Sequence, residues 1–152
     1  MNSHRLNRLD ALKFMFAGNS IFTFLNNRSN NRFTYKVKKS KNSDIFFVYV
    51  LTSSDVYTYI GFHKDNDFVY SKKSAIKSDA QSIKVYEYVI RNLINDTLFD
   101  FIEIWHEGLC GRCGRRLTVP SSISIGIGPE CLNKLSKSEK RNKILNLILE
   151  NA

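Results

Sequence analysis

Ile45-Phe46-Phe47-Val48-Tyr49-Val50-Leu51 is apolar at every position, so an extended segment built from it has no face suited to open water. Seven residues fall far short of the roughly 20 that a helix needs to cross a bilayer. The β-branched and aromatic content instead predicts a central strand of a sheet. Two alternating segments precede it, Ile21 to Leu25 and Arg32 to Lys38, joined by a polar, Asn-rich loop that reads as a hairpin. In the second, Phe33, Tyr35 and Val37 point one way and Arg32, Thr34, Lys36 and Lys38 the other. Tyr57 to Phe62 and Asp67 to Tyr70 follow at turn-separated spacing, which predicts an antiparallel meander of five strands.

Helical signals flank this sheet. Leu6, Leu9, Leu12 and Met15 recur at helical spacing and stop at Gly18. Ser78-Asp-Ala-Gln81 reads as a capping box opening a helix that presents Ile83, Tyr86, Ile90 and Leu93 on one side and ends near Asn95. Phe101 to Trp105 predicts a last strand, leading into the cysteine region. A terminal helix is expected from Ser136, paired with Glu139 in a second capping box, through Ile144, Leu145, Ile148 and Leu149. It is expected to pack on the body, with a homodimer contact as the alternative.

The 152 residues are 43% hydrophobic, enough for a real core. With no long apolar run and no signal-peptide core at the N-terminus, a soluble, cytoplasmic chain with no membrane partner is expected. The net charge of +9 is uneven: residues 1–42 hold nine basic and one acidic side chain, residues 43–105 six and nine, residues 106–152 eight and four. Two basic ends around a mildly acidic middle attract polyanions, although such a balance also serves solubility.

All three cysteines, both prolines and five of the seven glycines fall between Gly108 and Cys131. Cys110 and Cys113, two residues apart, can converge on one tetrahedral Zn²⁺ if the chain turns tightly, and Gly111 and Gly114 ease that turn by accepting positive φ. Gly126 and Gly128 allow a sharp approach to Pro129, which suits the first helical position and puts Cys131 in the first turn, where the helix dipole favours a thiolate. A knuckle, an intervening hairpin and a helix-borne ligand suggest a treble-clef-like module. Neither Asn133 nor Lys134 can supply the usual fourth ligand, so His106 is the nearest remaining donor, with water or another outside ligand as the alternative. Four protein ligands would close the site and make the zinc structural. Ordinary buried thiols beside a surface histidine are the competing account. The fold expected is thus α+β: a small antiparallel sheet with flanking helices over residues 1–100, then a treble-clef-like zinc module and a C-terminal helix over residues 101–152.

Cys110-Gly-Arg-Cys113-Gly-Arg-Arg-Leu-Thr-Val-Pro-Ser-Ser-Ile123, with Gly126-Ile-Gly-Pro-Glu-Cys131, resembles the signature of a family of unknown function encoded by bacteriophages and prophages. Its members carry Cys-x-x-Cys-Gly-Arg-x-Leu-Thr-x-Pro-x-Ser followed by Gly-x-Gly-Pro-x-Cys. Upstream, Phe14-Met-Phe-Ala-Gly-Asn19 through Phe22-Thr-Phe24, and Arg32 to Val37, are similar to a leader domain that often precedes this signature in phage proteins. The resemblance implies a mobile-element origin and a zinc-binding C-terminal module, and it brings no established activity.

Two functional expectations follow. The first is a non-enzymatic zinc protein that binds nucleic acid or a nucleoprotein. Arg112, Arg115 and Arg116 sit on or beside the knuckle, Lys134 and Lys137 follow Cys131, and Arg32, Lys36 and Lys38 form a second basic face. A solvated basic rim explains the same residues. The second is a phage anti-defence protein, an anti-CRISPR-like inhibitor that binds a host defence protein. An enzyme is disfavoured: Phe47-Val-Tyr49 and Tyr59-Ile-Gly61 are only distantly similar to the paired tripeptides of GIY-YIG nucleases, Phe47 replacing the opening Gly and the following Arg missing. His106-Glu107 likewise lacks the His-x-Glu spacing of a zinc deaminase.

Overall fold

The structure of the protein, a computed structural model, describes residues 4–65 and 67–138. In chain order these form β1 (Arg5–Leu6), α1 (Arg8–Met15), β2 (Asn19–Asn26), β3 (Arg32–Lys39), β4 (Phe46–Ser53), β5 (Val56–Lys64), β6 (Asp67–Tyr70), α2 (Gln81–Ile94), β7 (Ile102–His106), α3 (Pro120–Ile125) and α4 (Pro129–Ser138). The strands make one antiparallel sheet in the order β1-β7-β2-β3-β4-β5-β6. No helix among the described residues is long and apolar enough to cross a membrane.

The α+β class and the meander from β2 to β6 are those expected, and β4 lies inside the sheet between β3 and β5. Phe46, Val48 and Val50 are buried on one face, while Phe47, Tyr49 and Leu51 are half-buried on the other. There Tyr59 packs edge-on against both Phe47 and Tyr49, and Lys36 lies 5.6 Å from the Tyr57 ring centre. A bulge in β5 sets Ile60 between the pairs Val48–Gly61 and Tyr49–Tyr59. Gly61 has a packing reason: a methyl there would strike the Val69 carbonyl and the Phe68 ring.

The sheet has seven strands rather than five. Phe101 to Trp105 does not hang behind the sheet; β7 lies between β1 and β2, pairing Thr23 with Trp105 and Leu6 with Ile104. The boundary expected after residue 100 is therefore followed by a strand of the same hydrogen-bonded ladder. The helices also begin differently. In α1, capped by Asn7 accepting from the Asp10 N–H at 2.8 Å, Leu12 and Met15 are buried with Ala11 and Phe14. Leu6 instead belongs to β1, and Leu9 is 53% exposed. Ser78 does not cap α2: a turn from Lys77 to Ala80 intervenes, and the helix starts at Gln81 without a side-chain cap. Ser136 lies within α4, which already starts at Pro129, so it opens no helix. The continuation expected from Glu139 through Leu149 lies outside the described residues.

The core is aromatic. Tyr86 of α2 stacks on Phe24 and meets Tyr35 and Phe68 at ring-centre distances of 4.9 Å. The Tyr35 hydroxyl donates to the Ser82 carbonyl at 2.7 Å, tying β3 to the first turn of α2. His63 of β5 is fully buried between Phe16, Phe68 and Tyr86, with Nε2 2.8 Å from the Tyr86 hydroxyl and no partner at Nδ1. Burial pushes its pKa down to about 3.

A histidine that stays neutral in the fold but ionises at ordinary pH once unfolded makes no pH-dependent contribution above about pH 6.5, and opposes folding increasingly as the pH falls toward its folded value. The stability of the protein should therefore drop by roughly 1.4 kcal/mol per pH unit below pH 6.5 from this group alone. Urea titrations at pH 7.5 and 4.5 should show a distinctly smaller acid loss for His63→Phe than for the unaltered protein. An equal loss in both would remove His63 as the cause.

Candidate metal centre

The region after β7 is built on a narrow loop. Leu109 and Arg116 form a β-bridge, Cys110 N–H donates to the Arg115 carbonyl at 2.8 Å, and Leu117 N–H donates to the Gly108 carbonyl at 2.8 Å. Inside that loop Gly114 takes φ +79° and its N–H donates to the Cys110 carbonyl at 2.9 Å, bringing Cys113 back toward Cys110. The chain then forms the short helix α3, with Pro120 at its start and left-handed Gly126 at its end, in place of the expected hairpin. Ile123 and Ile125 look like an alternating strand, but the Pro and Gly punctuation prevails. After Gly128, α4 opens on Pro129 and carries Cys131 in its first turn, as the sequence predicts.

Gly111 and Gly126 hold this region on the sheet. Phe14 of α1 is fully buried, and a methyl on Gly111 would stand 2.7 Å from its ring and 2.8 Å from its carbonyl oxygen. A methyl on Gly126 would sit closer still to the same ring. Gly111 N–H donates to the Gly126 carbonyl at 2.9 Å and Asn19 N–H to the Gly111 carbonyl at 2.7 Å, which joins knuckle, α3 and β2. Gly111 does not have the positive φ expected of it; it is needed for the space its missing side chain leaves.

The three thiols converge. The sulfurs of Cys110, Cys113 and Cys131 all lie within 4.8 Å of one another, with Cys110 and Cys131 buried and Cys113 exposed. Burial is the largest influence on Cys110 and raises its pKa, yet N–H groups of Gly128, Cys113 and Arg112 outweigh it and bring the thiol below its ordinary value. The Gly128 N–H lies 3.5 Å from that sulfur. Cys131 is displaced upward, first by burial and then by the other two thiols, although Arg112 reaches its sulfur at 3.8 Å. Three soft donors this close, with backbone N–H groups directed at one of them, repel one another as anions unless a cation lies between them. The donor set fits a thiophilic metal ion.

His106 is not brought to the thiols. It lies at the end of β7 with its ring 3% exposed, Nε2 2.6 Å from the Ile123 carbonyl and Nδ1 accepting the Gly108 N–H at 2.9 Å. Nε2–H donating and Nδ1 accepting describe one neutral tautomer with both nitrogens satisfied. Burial lowers its pKa, the Ile123 carbonyl opposes that, and the His4 ring stacked 4.8 Å away adds to it. The residue expected as fourth ligand instead fastens α3 to β7.

The basic residues also sort differently. Arg112, half-buried, is turned to Cys131, whereas Arg115, Arg116 and Lys134 are exposed. These four line one surface pocket of about 340 Å³ beside the thiols, where Glu130 is the one acidic side chain among the described residues. Lys137 stands at the end of α4. Arg32, Lys36 and Lys38 share one face of β3, as expected, but only Lys38 adjoins the thiol region: it pairs with Asn19, which is bonded to Gly111. Arg32 pairs with Leu25 at the other end of the strand. That contiguity, which chain distance concealed, depends on the register of β2 and β3.

A family model described as a family of unknown function, DUF6011, matches residues 105–136, the span from Trp105 through α3 and most of α4. No curated protein and no solved structure matches the chain significantly.

The Phe14 contact is tested by three alanine substitutions. Gly111→Ala and Gly126→Ala should each destabilise the protein by about 1–3 kcal/mol, the first through overpacking and the second through overpacking together with its left-handed φ of +76°. Gly128→Ala, whose methyl meets nothing nearer than 3.9 Å, should stay within about 0.5 kcal/mol of the unaltered protein. Equal melting temperatures for all three would contradict the packing described.

Proposed function

We propose that the protein is a non-enzymatic zinc-binding protein that engages nucleic acid or a nucleoprotein through the basic surface around its three thiols. The observation that carries this reading is the pocket where Arg112, Arg115, Arg116 and Lys134 surround the thiol cluster with Glu130 beside them. Zinc is the ion that three converging thiolates in a small module most commonly select, and its binding energy would become folding energy for residues 105–135. Arg112 would act on the metal site through the Cys131 sulfur, leaving Arg115 and Arg116 for phosphate oxygens. Lys38, carried to the same edge by Asn19, would lengthen the basic surface along β3.

Elemental analysis of protein purified without chelator should find one zinc per chain. Cys113→Ser should lose it, and His106→Gln should keep it while melting at a lower temperature, since that imidazole joins α3 to β7 rather than binding metal. Zinc lost from His106→Gln would restore the histidine as a ligand.

Binding to single- or double-stranded DNA or RNA, followed against salt, tests the partner. Each phosphate contact releases counterions, so replacing Arg115 and Arg116 together by Ala should flatten the log-affinity against log-salt slope by up to about two units, and Lys38→Ala by about one. Arg32→Ala should change neither. No binding to any nucleic acid at low salt would refute this reading and turn the search to a host defence protein as the target.

A further inference from the structure

The whole chain contains three cysteines and three histidines. All three thiols are in the cluster. Of the imidazoles, His63 is enclosed in the core against Tyr86, and His106 has both ring nitrogens bonded. The His4 ring stacks on His106, beside Gly108. Glu130, next to Cys131 on α4, lines the pocket without joining the cluster of close donors. Zinc held by proteins is almost always four-coordinate, and sites with three protein ligands leave the fourth position to a molecule from solution.

The open side is identifiable. Cys110 and Cys131 are buried and Cys113 is exposed, so the cluster faces solvent on the Cys113 side, where the pocket of about 340 Å³ lies. Three thiolates around a divalent cation leave a formal charge of −1, which the surrounding guanidinium and ammonium groups more than offset. An incoming anion therefore meets a positive rim. Guanidinium forks match the oxygens of phosphate in pairs, whereas a thiol ligand would offer them no oxygen.

We propose that the metal site is completed from outside the chain, by an exchangeable oxygen-donor anion of the phosphate class held by Arg115 and Arg116. This rests on the zinc reading above and does not require that the ligand belong to a nucleic acid.

The test uses the full chain loaded with Co²⁺ in place of zinc, with inorganic phosphate as the probe. X-ray absorption should give three sulfurs and one oxygen around the metal, with no imidazole scattering. Added phosphate should shift the visible d–d bands saturably while the cobalt stays bound. Arg115→Ala/Arg116→Ala should leave the phosphate-free spectrum unchanged and weaken the phosphate effect by about tenfold or more. Imidazole scattering, a fourth sulfur, a spectrum that phosphate does not move, or a phosphate shift unaltered in the double variant would each overturn the proposal while leaving a metal site in place. Failure to bind Co²⁺ or Zn²⁺ at all would overturn the zinc reading with it. A phosphate shift alongside no affinity for DNA or RNA would support the site and refute the nucleic-acid reading alone. With 5′-phosphorylated and unphosphorylated oligonucleotides, a shift from the former only would identify a strand-terminal phosphate as the source; a shift from free phosphate only would identify a small molecule.

Discussion

The Phe14 ring, seated against Gly111 and Gly126, is the contact on which the arrangement depends. It is contributed by a helix near the start of the chain and received by two backbone segments about a hundred residues later. Neither receiving glycine can carry a side chain without displacing an aromatic ring in a closely packed interior. Around this seat two short hydrogen bonds connect Gly111 with Gly126 and with Asn19, so the knuckle, the end of α3 and the start of β2 are held relative to one another before any metal is considered. Cys110 and Cys131 flank that seat on either side of the chain, and their convergence follows from it.

His106 belongs to the same construction. As the last residue of β7, it is presented to α3 by a strand hydrogen-bonded on both edges. Its two nitrogens complete polar groups that would otherwise be buried without partners: a carbonyl of α3 and an N–H of the turn at Gly108. A histidine employed in this way is more valuable to the fold than to a metal. Its commitment elsewhere is also what leaves the thiol cluster, among the described residues, with three protein donors and an exposed side.

Electrostatics links this cluster to the sheet. Most acidic side chains of the middle of the chain lie in turns and loops, among them Asp44, Asp55, Asp79, Asp96 and Asp100. Glu103 of β7 is held below its ordinary pKa first by Asn27 and further by Trp105 and Arg5. Arg112, Arg115, Arg116 and Lys134 line the pocket beside the thiols, and Lys38 of β3 pairs with Asn19, whose N–H is bonded to the Gly111 carbonyl. Arg112 reaches the Cys131 sulfur while Arg115 and Arg116 are exposed, so one loop presents different arginines to the thiols and to solvent.

Much of the fold was legible along the chain because its signals are local. Alternation in β2 to β6 reports which side chains share a face, the stripe of Ile83, Tyr86, Ile90 and Leu93 reports the buried side of α2, and the Cys spacing with Pro129 reports a knuckle and a helix-borne thiol; each works over a few residues of known periodicity. The misplaced features are those that depend on residues distant in sequence. Ser78 and Ser136 match a capping pattern that neighbouring turns and an earlier helix start override. Gly111 reads as a flexible turn until Phe14 is seen against it, and His106 reads as a ligand until Ile123 is seen 2.6 Å away. The sequence by itself determined the strands from β2 to β7, the α2 face and the three thiols that can meet. Only the tertiary structure decided the place of β7, the commitment of His106 to Ile123 and Gly108 rather than to the thiols, and the link from Lys38 through Asn19 to Gly111, because spacing specifies which groups can approach and packing specifies which way they point.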